Sequence, residues 1–119
     1  MSIPVAIEEI RKVANGQARF AYLLTVSADG RPHAVAITPT DAPDGLVCTV
    51  GRTSAANAAA RPAVSLVWPP ATPDDYSLIV DGLAEVDGGT VTVRPTGAVR
   101  HRPAADGGND CVRLDRPGS

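Results

Sequence analysis

Apolar and polar positions alternate along most of this chain in short runs broken by Gly, Pro and Asp, the pattern of strands joined by tight turns. Arg19 to Val26 (RFAYLLTV) predicts one strand, and His33 to Thr40 predicts its return. Between them, Ala28-Asp29-Gly30 carries the Asp-Gly signal of a hairpin. Asp41 to Gly45 reads as a second turn leading into a strand over 46–50. Further strands are predicted over 63–68, over Tyr76 to Val86 and over Thr90 to Arg94, with Pro69 to Asp75 as a proline-rich loop. Gly82, inside the longest of these, marks a bulge or a close backbone approach.

Two segments carry a helical pattern instead. Ser2 is placed to cap a helix with Pro4 in its first turn, putting Ile3, Ile7, Ile10 and Ala14 on one face and Glu8 and Lys12 on the other, with Asn15-Gly16 as the stop. The second is an alanine-rich helix that follows Gly51-Arg52-Thr53-Ser54 and stops at Pro62. Thr53 and Ser54 are the residue types that cap a helix start. About six short strands, each with one face to bury, favour closure into a barrel over an open sheet. The expected fold is mainly β, a small antiparallel barrel with two short helices over residues 1–103. Residues 104–119 form a loosely ordered tail in which Cys111 to Leu114 add an edge strand.

Composition narrows the function. The 119 residues suit one domain, and 44% hydrophobic with 20% charged residues is a globular balance. A net charge of −2, with Lys12 the sole lysine, leaves no basic footprint for nucleic acid, and one Trp, two Tyr and one Phe make a poor base-stacking platform. No apolar run approaches the ~20 residues of a membrane span and no signal peptide opens the chain, so a cytoplasmic protein is expected. Cys48 lies in an apolar strand and reads as a small core residue, and Cys111 as a bystander; neither has metal-ligand spacing. His33, Asp74, Asp75 and Asp81 read as surface groups, and Arg100-His101-Arg102 as a solvated basic patch or as help for a cofactor phosphate. No nucleophile–base set emerges.

One segment does point to chemistry. At Gly51-Arg52-Thr53-Ser54 a strand meets a helix start, where unpaired N–H groups and the helix dipole favour an anion and an arginine adds charge. The order TVSADGRPHAVAI, then GLVCTVGRTSAANAAARPAVSLVW, then YSLIVDGLAEVD resembles the pyridoxamine 5′-phosphate oxidase-like split β-barrels that bind flavin, over roughly Val5 to Arg102. The resemblance implies an FMN-dependent oxidoreductase, working as a homodimer with the cofactor in a groove at the interface and a small planar substrate over the flavin ring. The lysine-poor, Ala/Arg/Gly/Pro-rich composition fits actinobacterial members, some of which use the deazaflavin coenzyme F-420; a cofactor-free dimeric binding protein is the third reading.

Position by position, the resemblance puts the backbone of Val35, Ala36 and Ile37 under the flavin ring, Thr49 and Val50 beside the ribityl chain, and Leu66 and Trp68 on the far side of the groove. In the family's phosphate loop Gly51, Ala55 and Asn57 are in register. Arg52 stands in the serine place and Ser54 in the lysine place, so the resemblance implies phosphate contacts from Arg52, Thr53, Ser54 and Asn57, with the charge displaced to Arg52.

Overall fold

A computed structural model of the chain describes residues 1–103. The tail expected over 104–119, with its edge strand and Cys111, lies outside the described residues. Eight strands form one antiparallel sheet: β1 (Ser2–Pro4), β2 (Ala21–Val26), β3 (Pro32–Ile37), β4 (Thr40–Ala42), β5 (Gly45–Thr49), β6 (Ala63–Trp68), β7 (Ser77–Asp87) and β8 (Thr90–His101). A single 3₁₀ turn (Ile7–Glu9) leads into α1 (Ile10–Ala14), and α2 (Arg52–Ala60) joins β5 to β6. The sheet runs β3-β2-β6-β7-β8-β5-β4, with β1 added on β8. Residues of alternate parity face inward, so Leu23, Leu66, Leu78, Val80, Val91 and Val93 are fully buried in one core.

The first helix is shorter than the sequence pattern predicts. Ser2–Pro4 pairs with β8 (Ser2 opposite His101, Pro4 opposite Val99), and the Val5 amide donates to the Ala98 carbonyl at 2.9 Å. A lone three-turn helix is marginal in water, whereas Ile3 and Val5 suit an extended backbone that finds ready-made partners. Ile10 stays buried, while Ile3 and Ile7 do not reach the core.

The predicted strand from His33 to Thr40 is likewise two elements. Pro39 lacks an N–H for the ladder and ends β3. Beyond it Thr40–Ala42 pairs back onto β5, which narrows the turn to Pro43-Asp44. These two three-residue strands, β1 and β4, raise the strand number from about six to eight.

The last strand extends past Arg94 because a bulge absorbs Pro95. Gly82 lies opposite Pro95 and Asp81 opposite Gly97, so the register slips by one residue there. Gly82 also meets the close approach its place in the strand suggests: a Cβ would sit 2.6 Å from Val93 Cγ1 and 2.7 Å from the Arg94 carbonyl oxygen. The Asp29-Gly30 hairpin forms as predicted, with Gly30 at φ +84° and the Ser27 hydroxyl bonded to the Asp29 carboxylate. That hydrogen bond holds Asp29 below the usual carboxylate range.

Candidate functional site

The sheet does not close by hydrogen bonds. Among the described residues β3 pairs only with β2, and β4 covers β5 only from Gly45 to Val47. The outer edge of β3 and the far end of β5 therefore present unpaired backbone groups, which buried structure would have to satisfy and which a ligand can use instead. Val35, Ala36 and Ile37 lie on the first edge and Thr49 on the second, with Val50 following it. Val35 and Ile37 turn their side chains inward and Ala36 outward, so what all three share at the edge is their backbone.

α2 begins where the β5 edge ends. It leaves β5 through Val50, whose amide donates to Gly89 at 2.8 Å, and packs on β2, β7 and β8. Its buried face is Ser54, Asn57 and Ala58, the i, i+3, i+4 spacing of one helical stripe. Asn57 Nδ2 donates to Thr25 Oγ1 at 3.2 Å, and both side chains are buried. Thr25 is the cross-strand partner of His33 on β3, so this bond ties α2 to the β2–β3 hairpin. Asn57 thus faces the core rather than solvent. Beyond the helix, Arg61 Nε donates to the Val26 carbonyl at 2.6 Å and holds the other end of α2 against β2.

The reading of Thr53 or Ser54 as the N-cap is corrected by the structure. Gly51, extended at φ −79° and ψ 178°, is the cap and offers no side-chain bond; Thr53 and Ser54 already lie inside the first turn. The N–H groups at this turn lack side-chain acceptors, no acidic residue sits in it, and Ala55 is the first to donate back, to Gly51 at 3.0 Å. Arg52 and Thr53 are exposed while Ser54 is buried. Among the described residues Arg52 joins no ion pair, since these are confined to Arg11–Asp41 and Arg94–Glu85. The result is a helix N-terminus with a free guanidinium, at the end of an open strand edge.

Trp68 is apart from this cluster. Its ring is buried on the inner face opposite Leu78, and the Trp68 carbonyl accepts from Gln17. Leu66 is buried in the same row. Cys48 is also interior, and burial pushes its thiol above the usual range, so it stays protonated and unreactive at neutral pH. No group of three or more His, Cys, Asp or Glu able to hold a metal occurs among the described residues, and no helix there is long and apolar enough to cross a membrane.

A second feature escaped the sequence reading because it depends on which strands become neighbours. The outward face of β2, β6 and β7 is largely apolar around the Ser65–Asp81 pair, with Tyr22 40%, Val26 37% and Leu83 39% exposed and Leu24, Val67 and Ile79 half-buried. It holds a cleft of about 390 Å³ floored by Ser65, whose hydroxyl donates to Asp81 at 2.6 Å. Another cleft, about 410 Å³, lies between the β4–β5 hairpin and α1 and is rimmed by Glu8, Arg11, Asp41 and Arg94.

An antiparallel sheet curled into an unclosed barrel, with a helix packed on it, defines a split β-barrel. No family model matches the chain. It is 41% identical over 103 residues to the uncharacterized proteins Mb0449c of Mycobacterium bovis and MT0457 of Mycobacterium tuberculosis, covering 72% of this chain and 72% of each of them. Solved structures with the same fold include an F420 reductase (22% identity, TM-score 0.58, 73% of this chain and 94% of that one). The FAD binding protein of Mycobacterium smegmatis (19%, TM-score 0.61, 86% and 100%) also shares it. So does a Listeria innocua protein named for a proposed pyridoxamine 5′-phosphate oxidase activity (16%, TM-score 0.58, 78% and 94%). The chain therefore belongs to one family with the mycobacterial proteins Mb0449c and MT0457, and it shares the split β-barrel fold of the solved pyridoxamine 5′-phosphate oxidase-like structures.

Proposed function

We propose that this chain binds a phosphorylated flavin, FMN in the first instance, in the split between β3 and β5, and serves as a flavin-dependent oxidoreductase. The observation that carries the reading is the α2 start: an exposed arginine without an ion-pair partner among the described residues, beside N–H groups that lack side-chain acceptors. This donor set fits a phosphate. The β3 and β5 edges supply backbone donors and acceptors of the kind that orient the polar rim of a flavin ring. Arg52 and Thr53 hold the phosphate, while Asn57, committed to Thr25, positions the helix rather than touching the ligand. When bound, a flavin supplies the hydride or electron chemistry itself, and a protein without an acid–base constellation is consistent with that division of labour. Similarity to an F420 reductase and to an FAD binding protein supports a flavin-type ligand and favours the deazaflavin coenzyme F-420 as the second reading.

The test is a fluorescence titration of the purified protein with FMN, FAD and the deazaflavin. Saturable binding of FMN tighter than of the others is expected. A preference for the deazaflavin would move the chain to the second reading, and failure to bind any of the three would overturn both.

Pairing of two chains belongs to the same proposal. The largely apolar face of β2, β6 and β7 has no cover among the described residues, and exposed apolar surface of this kind marks interaction sites. We assign it to a homodimer. Leu83→Arg would place a further charge on that face and is expected to convert the protein to a monomer at micromolar concentration, by light scattering, with an unchanged circular dichroism spectrum. A wild-type protein that is already monomeric there would refute the assignment.

A further inference from the structure

The barrel end away from α2 carries a second concentration of positive charge. Arg100 and Arg102 both lie over the ring of Tyr76, their guanidinium carbons 5.1 and 4.5 Å from its centroid. One ring thus gathers two like charges, which an anion between or beside them would neutralise. Arg100 is half-buried, and its Nε is enclosed with no acceptor among the described residues. A buried N–H without a partner is rare and marks a place where a missing acceptor belongs.

No carboxylate answers these charges among the described residues, whose ion pairs are Arg11–Asp41 and Arg94–Glu85. Asp75, the acidic group nearest in sequence, accepts instead from the Tyr76 amide at 2.8 Å. β1 holds the end of β8 in place. The Met1 ammonium donates to the Arg102 carbonyl at 2.9 Å, the Arg102 amide returns a bond to Met1 at 3.1 Å, and Tyr76 Oη lies 3.0 Å from Met1 Sδ. Ser2 Oγ and His101 Nδ1, 3.0 Å apart, brace the opposite side of the strand. The platform is therefore fixed from three directions: β1, β8 and the start of β7.

We propose that Arg100, Tyr76 and Arg102 form a clamp for an oxyanion, a phosphate or carboxylate group, distinct within one chain from the α2 start. The two lie at opposite ends of β8, roughly 30 Å apart at ~3.3 Å per residue. Two guanidiniums gathered on one ring, one of them with an unpartnered Nε–H, suit capture of such a group. The clamp stands on its own residues and does not depend on flavin binding.

Nitrogen-15 NMR of the full-length protein tests it, following the arginine Nε–H signals while inorganic phosphate, and separately acetate, is added at constant ionic strength. The Arg100 Nε–H signal should move saturably with phosphate, with acetate or with both, and the relative response tells a phosphate clamp from a general oxyanion clamp. Arg102→Gln should weaken that response about tenfold or more while leaving any response of the residue 52–54 amides unchanged, and Arg52→Ala should do the reverse. An Arg100 signal indifferent to both anions would overturn the proposal, as would one that Arg102→Gln leaves unaltered. So would a response lost equally in both variants, since that would mean one composite site.

Discussion

Arg52→Ala is expected to weaken FMN binding by about ten- to a hundredfold while leaving riboflavin binding nearly unchanged. A hydrogen bond involving a charged group contributes about 1.5–3 kcal/mol, and each ~1.4 kcal/mol is a factor of ten in affinity. Arg52 is exposed and unpaired among the described residues, so its guanidinium gives up no other ion pair when a phosphate arrives. Riboflavin keeps the ring and ribityl chain but lacks the phosphate, which makes it the internal control. A variant that loses both ligands equally would show that Arg52 shapes the site rather than holding phosphate. Unchanged FMN binding would place the anchor elsewhere. Arg52→Glu should be worse than alanine, because it sets a like charge against the phosphate, and added salt should narrow the gap between the variants.

The proposed phosphate anchor at Arg52 rather than at position 54 also has a physical reason in the structure. Ser54, which stands where the family pattern has lysine, is 2% exposed and lies on the α2 stripe that meets the barrel. A lysine there would have to bring its ammonium out of water or push the helix away from β2. The charge sits instead on the exposed first residue of the helix, two positions earlier, where it reaches the same N-terminus without desolvation.

Most of what the sequence displayed was local. The Asp29-Gly30 hairpin was legible because its residue types demand a turn, and Gly82 because a glycine inside a long apolar strand is unfavourable without a reason. The α2 segment was legible from its alanines and the stop at Pro62. The candidate anion site followed from the order strand, glycine, arginine, helix, which needs no long-range contact. β1 and β4 were hidden because three residues carry no period, and both exist only through their partners, β8 and β5. The continuation of β8 was hidden because Pro95 reads as an end until the bulge opposite Gly82 is seen to accommodate it. The Arg100–Tyr76–Arg102 stack and the apolar outer face were hidden for the same reason, since both join residues far apart in the chain.

Gly45→Ala is expected to be the most damaging single-methyl change in the described chain. Gly45 opens β5 at φ +152°, a conformation that costs an L-residue strain wherever it occurs. Here a Cβ would also lie 2.1 Å from the Val93 carbonyl oxygen and 3.2 Å from Arg94 Cα, inside backbone that cannot rotate out of the way as a side chain could. Relief requires β5 to separate from β8, breaking the Leu46–Val93 and Val47–Thr92 pairs and the short ladder to β4. A loss of about 3 kcal/mol or more is expected from strain and overpacking together, seen as a fall in Tm of about 10 °C or more for a domain of this size. Gly30→Ala is the matched control. Its φ of +84° carries the backbone penalty alone, because a Cβ there meets nothing within 4 Å, and the expected cost is only about 1–2 kcal/mol. Equal destabilisation by the two substitutions would refute the steric account. Because β5 runs directly through Thr49 and Val50 into α2, Gly45→Ala should weaken flavin binding together with stability, whereas Gly30→Ala should lower stability and spare the ligand.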